Sequence, residues 1–252
     1  AIVYWCFDKS RGRLSTYILF FGAYVNFFLK LLIPWPRPPA ELRIIEKNET
    51  SYGFPSGHTQ NSTTFWTWVS MNFKKPMLTA MGLGIVVVVG LSRIYLGVHY
   101  PAQVIGGYVV GLAVPFVGMI LPRYFPTKTK QNLPRLQLLF GVCILTPLAA
   151  GVALGAVGAT NPGSIGGYLV GFWLGTFGEA RYVRFTTQVN YTRKMVRVLV
   201  GTAMTGLLVL GSGQILFSLR LVQSFTASVI QGLTVALIVP IVFGIIERRL
   251  GA

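Results

Sequence analysis

Acidic residues are scarce in this chain: 6 Asp and Glu stand among 252 residues, against 22 Lys and Arg. Cysteine and histidine are scarcer still, with two of each. So few carboxylates argue against a two-metal hydrolytic centre. Cys6 and Cys143 each sit in an apolar run, read as buried free thiols, and offer no disulfide framework. No Cys/His group has zinc-ligand spacing, so neither a metal nor another cofactor is expected. Charged residues of both signs make up 11% of the chain, where a soluble domain carries about 25%. Most of this chain therefore has no water to face.

What the chain has instead is apolar length, with 53% hydrophobic residues. Seven runs approach or exceed the span of about 20 residues needed to cross a bilayer: 14–33, 76–96, 101–121, 136–157, 163–180, 195–217 and 224–246. They predict an all-α, polytopic transmembrane helical bundle. An eighth run, 58–73, is mixed, with Thr59, Gln60, Asn61, Ser62, Thr63 and Thr64 preceding Phe65 to Phe73. Polar side chains at membrane depth must face protein or a water-filled cavity, and here they suggest a pocket wall. The opening run Ala1–Phe7 is too short to span and reads as the tail of a helix whose start is absent. Pro76 and Pro101 fall where helices would begin, a position that needs no proline N–H. Glycines at four-residue spacing (Gly107 and Gly111; Gly151 and Gly155; Gly167, Gly171 and Gly175) let membrane helices approach closely, within one chain or in a homo-oligomer.

The formal charge of +16 would suggest nucleic acid in a soluble protein. In this chain the basic residues lie in short loops between apolar runs, so no nucleic-acid partner is expected. If each of these eight runs, the mixed one included, crosses once, one side holds Lys9, Arg11, Arg13, Lys74, Lys75, Arg123, Lys128, Lys130, Arg135, Arg181, Arg184, Arg193, Lys194, Arg197, Arg248 and Arg249. That is 16 of the 22 basic residues, and the richer side should be cytoplasmic. The loops 34–57 and 97–100 then lie on the extracytoplasmic side. Lys30, Arg37 and Arg93 are on that poorer side, at span ends or beside the histidines. Charged groups near hydrocarbon are expensive to keep, so their default reading is functional.

Both histidines lie on the same side. His58 follows Pro55-Ser56-Gly57, and His99 closes Ser92-Arg93-Ile94-Tyr95-Leu96-Gly97-Val98-His99. Arginine forks match phosphate oxygens and lysine adds a point charge. Ser56 can donate a hydroxyl hydrogen bond, and Gly57 opens a helix whose N–H groups can face an anion. One neutral histidine can attack phosphorus while a second, protonated, supplies the leaving alkoxide with a proton. Such a pair suffices for displacement through a phosphohistidine, with cations rather than metal offsetting the charge.

Lys30-x6-Arg37-Pro38, Pro55-Ser56-Gly57-His58 and Ser92-Arg93-x5-His99, in this order, resemble the three-part signature of the type 2 phosphatidic acid phosphatase superfamily. The resemblance covers about residues 1–121. It implies that Lys30, Arg37 and Arg93 clamp the phosphate with help from Ser56 and the Gly57 amide. It also implies that His99 is the nucleophile and His58 the general acid, with no metal. Family members act mostly on lipid phosphates, including phosphatidic acid, phosphatidylglycerophosphate and undecaprenyl pyrophosphate. Soluble acid phosphatases and vanadium haloperoxidases share the anion pocket, and the spans here disfavour both.

One position departs from the pattern. The third motif usually carries an aspartate four residues after the histidine, and this chain has Gln103. An amide oxygen can still orient His99, but it carries no charge, so weakened catalysis is expected. Glu41, Glu46 and Glu49 share the side of the site, and one of them is a candidate substitute acid. The expectation is therefore a multi-pass membrane phosphatase for a lipid phosphate or pyrophosphate, its site extracytoplasmic. Its core would be 1–121, followed by a basic cytoplasmic loop 122–135 and an appended four-span bundle 136–252. The alternatives are phosphoryl transfer to another acceptor, and binding of a lipid phosphate with little or no turnover. A transport role for 136–246 is disfavoured by few interior ionisable groups.

Overall fold

The computed structural model describes residues 1–44, 51–124, 162–212 and 220–249. Every regular element among the described residues is helical: α1 (Ile2–Cys6), α2 (Lys9–Leu32), a 3-10 turn (Ala40–Leu42), α3 (Gly57–Phe73), α4 (Pro76–Tyr95), α5 (Pro101–Tyr124), α6 (Pro162–Gly178), α7 (Tyr191–Ser212), α8 (Arg220–Leu233) and α9 (Val239–Arg249). Two π-helical turns, Glu179–Val183 and Thr234–Ile238, follow α6 and α8. Four stretches are long and apolar enough to cross a membrane: Lys9–Leu32, Pro76–Tyr95, Tyr191–Gly211 and Ser224–Arg248. The chain is an all-α membrane protein. The expected span 136–157, the loop 125–135, Gly151 and Gly155, Cys143, Glu46 and Glu49 lie outside the described residues.

Two compact units emerge, and the divide falls inside α2, between Thr16 and Tyr17. Residues 1–16 group with the later helices rather than with the 1–121 core expected from sequence. The cause is aromatic. Tyr4 packs edge-on against Phe172 and Phe185, and Trp5 against Phe243. Trp5 Nε1 donates to the Val235 carbonyl at 2.8 Å, and Tyr4 Oη to the Ala236 carbonyl at 3.4 Å. Both acceptors lie in the second π turn, where the widened helix frees carbonyls from the regular ladder. In the same unit Glu179, 2% exposed, is paired with Lys9 at 2.6 Å. Arg197, 1% exposed, forks onto Glu247 at 2.8 and 3.1 Å and donates to the carbonyls of Trp5 and Thr186. These buried pairs correct the expectation of few interior ionisable groups. They sit at helix ends, where sequence alone reads them as loop charges. The glycine stripe of α6 serves packing within the unit, since a Cβ on Gly167 or Gly171 would strike the backbone of Phe225 or Val229 on α8.

The other unit holds the rest of α2, the 3-10 turn and α3 to α5. α2 begins at Lys9, five residues ahead of the apolar run at 14, because Asp8 accepts the Arg11 N–H at 2.8 Å and caps a charged first turn. α4 and α5 start on their prolines, and α3 stops at Lys74, which adopts left-handed backbone at φ 49°. α3 packs between α4 and α5. A Cβ on Gly107 would lie 2.9 Å from the Ser56 carbonyl oxygen, and one on Gly111 2.7 Å from that of Gln60, so these glycines bring α5 onto α3. In the polar half of α3, Thr59, Gln60, Thr63 and Thr64 are buried against protein, while Asn61 is exposed. Gln60, fully buried, donates to the Gly22 carbonyl at 2.6 Å and accepts from Asn26 Nδ2 at 2.8 Å; Thr64 donates to the Gly111 carbonyl at 3.2 Å. Buried side-chain amides and hydroxyls thus meet backbone acceptors that membrane helices leave available at glycines.

Candidate active site

The residues singled out by sequence sit on four helix ends and one loop. Lys30, 5% exposed, is in the last turn of α2. Arg37 lies on the loop that follows. Ser56 caps the start of α3, with Gly57 and His58 as its first helical residues. Arg93 is in the last turn of α4. His99 and Gln103 straddle the start of α5, one turn apart.

Arg37 is the hub. Its Nε donates to the Ser51 carbonyl at 2.9 Å, Nη2 donates to Ser51 Oγ at 3.1 Å, and Nη1 donates to the Val98 carbonyl at 3.1 Å. Nη1 also lies 3.0 Å from His99 Nε2. On the other side of the ring, His99 Nδ1 lies 3.0 Å from Gln103 Oε1. Gln103 Oε1 also accepts the Tyr100 N–H at 3.2 Å, and Gln103 Nε2 donates to the Pro36 carbonyl at 2.8 Å. Those partners settle the proton positions. A proline carbonyl only accepts and a backbone N–H only donates, so the amide orientation is fixed. The atom facing Nδ1 is then an acceptor, and Nδ1 carries the ring proton. A guanidinium only donates, so the atom facing it, Nε2, carries the lone pair. Two independent neighbours select the same tautomer, with the lone pair on Nε2. His99 is 3% exposed and Gln103 fully buried, so both contacts are sheltered from water.

Ser56 joins this group through its N–H, which donates to the Gln103 carbonyl at 2.9 Å, while its Oγ accepts from Thr59 at 3.1 Å. Lys30 Nζ donates to the Tyr52 carbonyl. Asn26 Nδ2 donates to the Pro55 carbonyl at 3.1 Å, tying α2 to the turn before α3. A Cβ on Gly57 would lie 3.3 Å from Asn26 Oδ1, so this helix start is held close to α2. His58 is exposed, and Arg93 Nε donates to Ser92 Oγ at 3.2 Å. The Arg93 carbonyl accepts the Val98 N–H at 3.2 Å, closing the turn that delivers His99. Gly97 makes that turn at φ 68°. Glu41, a candidate substitute acid, is exposed on the 3-10 turn, and Gln103 takes the place beside Nδ1. No group of three or more metal-ligating side chains occurs among the described residues.

Sequence reading missed Ser51, Tyr52 and Gly53, which precede the second motif, and Asn26, one turn before Lys30 on α2. Helical spacing places Asn26 on the Lys30 face, a signal that could have found it.

Comparison with known proteins gives two family matches. The PAP2 superfamily matches residues 13–127, and the "PAP2 superfamily phosphatase, transmembrane extension" matches residues 163–248. The chain is 34% identical over 93 residues to phosphatidylglycerophosphatase B of Bacillus subtilis (strain 168), covering 33% of this chain and 44% of the relative. It is 32% identical over 90 residues to undecaprenyl-diphosphatase of Sulfolobus acidocaldarius, covering 36% and 43%. It is 25% identical over 151 residues to sphingosine-1-phosphate phosphatase 2 of Mus musculus, covering 56% and 41%. In each case the chain spans less than half the length of the relative it matches. No solved structure matches the chain.

Proposed function

Since the chain belongs to the PAP2 superfamily, we propose that it is a metal-independent membrane phosphatase hydrolysing a lipid phosphate or pyrophosphate through a phosphohistidine on His99. The observation that carries this reading is the His99 ring held between the Arg37 fork at Nε2 and the Gln103 amide oxygen at Nδ1. The names of the relatives have in common a phosphate or diphosphate on a lipid.

In the first step Nε2 attacks phosphorus, the bond to the leaving oxygen breaks, and His58 gives that oxygen its proton. In the second step His58 takes a proton from water, the hydroxide attacks the phosphohistidine, and inorganic phosphate leaves with the His99 lone pair restored. Lys30, Arg37 and Arg93 offset the charge on the equatorial oxygens, with Ser56 and the Gly57 N–H adding hydrogen bonds. Gln103 orients the ring and accepts from Nδ1–H throughout. The bias of basic residues toward the other loops supports an extracytoplasmic site.

The test is phosphate release from vesicles containing phosphatidic acid, phosphatidylglycerophosphate or a polyprenyl pyrophosphate, with and without chelator. Release that survives chelator and disappears in His99→Ala supports the reading. Unchanged release in His99→Ala, or none from any lipid by the parent protein, overturns it. Membrane-sealed substrate of known orientation reads the sidedness.

A further inference from the structure

Gly53 has no conformational reason to be glycine. Its φ lies outside the left-handed region, where Gly97 is the glycine that does need it. Its N–H donates to the Trp35 carbonyl at 2.7 Å, as any residue's would. What it supplies is space. A Cβ at position 53 would stand 2.5 Å from Gln103 Oε1 and 2.6 Å from Gln103 Cδ, and would strike Nε2 as well. The three nearest atoms to that missing carbon all belong to one side-chain amide.

We propose that Gly53 is a positioning residue for His99, acting through Gln103: its missing side chain is the room in which a longer amide does the work of a shorter carboxylate. Glutamine is one methylene longer than the aspartate that the resemblance places at position 103. To bring its oxygen to Nδ1 of a histidine one turn earlier, the extra carbon must be accommodated sideways. The side chain lies against Gly53, with Nε2 on the Pro36 carbonyl and Oε1 shared by the Tyr100 N–H and His99. Gly53 and Gln103 are then a size-matched pair, and the departure from the family's pattern is a working alternative rather than a decayed site. The loop that carries Gly53 also carries Ser51 and Tyr52, which hold Arg37 and Lys30. A shift at position 53 therefore bears on both edges of the site.

The atoms nearest a methyl at position 53 are side chain rather than backbone. The methyl would displace the far end of a flexible side chain, so Gly53→Ala should fold while the Gln103 amide loses its seat. The inference rests on His99 being the nucleophile only for its rate readout. Its structural readout is the 15N spectrum of histidine-labelled protein in detergent, made simple by there being two histidines. Absence of one signal in His58→Ala assigns the other to His99. The parent should show His99 protonated at Nδ1. Gly53→Ala should move it toward a mixture of tautomers and lower phosphate release about 10- to 100-fold, the scale of one hydrogen bond to a group that becomes charged. In the Gln103→Asp background the same Gly53→Ala change should cost little, and the double variant should recover the Nδ1-protonated spectrum.

An unaltered His99 spectrum in Gly53→Ala overturns the proposal, as does an equal loss in both backgrounds. Should the single variant not yield folded protein, recovery of folded protein in the double variant carries the same support, and failure of both overturns it. If the parent releases no phosphate, the proposed activity fails while the spectra still decide the pairing.

Discussion

Arg37 Nη1 donates to His99 Nε2 across 3.0 Å, with Gln103 Oε1 at the same distance from the opposite ring nitrogen. The ring is held between a donor and an acceptor, and neither can exchange its role with the other. Arg37 thereby disfavours a proton on Nε2 before substrate arrives, since protonation would bring two donors face to face.

Arg37→Lys separates charge from geometry. An ammonium keeps the charge but cannot serve Ser51, Val98 and His99 together. The expected outcome is a loss of phosphate release of about 10²-fold or more, with thermal unfolding in detergent little changed. Steady-state release measured beside an unfolding curve checks it.

Gln103→Leu keeps volume and removes the acceptor for Nδ1. Release should fall about 10- to 100-fold, mainly in kcat, because the residue is placed against the nucleophile rather than the lipid. The Tyr100 N–H and the Pro36 carbonyl also lose a partner, so the unfolding midpoint should drop as well. A KM that rises with kcat unchanged would contradict this role.

Gln60→Ala tests the buried amide network beneath the site. It removes the side-chain donor to the Gly22 carbonyl and leaves Asn26 without one of its acceptors. A loss of about 1–3 kcal/mol is expected for stranding such groups, read as a lower midpoint in detergent. Release per folded molecule should fall too, since Asn26 also holds the Pro55 carbonyl ahead of Ser56.

Arg197→Ala strands Glu247 and two carbonyls in the other unit. Breaking a buried pair by removing one partner costs about 3–5 kcal/mol. Because Arg197 is 1% exposed, the loss should be little affected by added salt. Removing both partners with Arg197→Met/Glu247→Leu should recover much of the midpoint.

Chelator treatment followed by dialysis should leave phosphate release unchanged. The described residues offer no cluster of three or more His, Cys, Asp or Glu side chains, and the proposed chemistry uses cationic side chains instead. Recovery of lost activity by added divalent cation would refute metal independence.

The three motifs were legible because each is a short run whose residues stay together when the chain folds: Pro55 to His58 opens α3, and Arg93 to His99 closes one helix and begins the next. The reason Gln103 suits this site was not legible. Its partners are the Pro36 carbonyl, 67 residues away, and a void at Gly53 that only folding creates. The span near residue 14 read as starting late because Lys9, Arg11 and Arg13 hide a helix start in hydropathy. The grouping of Tyr4 and Trp5 with Glu179 and Val235 rests on contacts 175 and 230 residues apart, which no local pattern announces. The polar half of α3 was visible as polar, but whether it met water or protein depended on glycines elsewhere in the chain.

The π turn at Thr234–Ile238 turns an apolar stretch into a pair of acceptors without any polar side chain at Val235 or Ala236. Such a turn is an α-helix carrying one surplus residue. The attachment of Tyr4 and Trp5 is therefore written in chain length rather than in residue type. Swaps among apolar residues at 235 and 236 leave it intact. Deleting a single residue between 234 and 238 would restore regular winding, rotate everything beyond it by about 100°, and carry Phe243 and Glu247 away from Trp5 and Arg197 together.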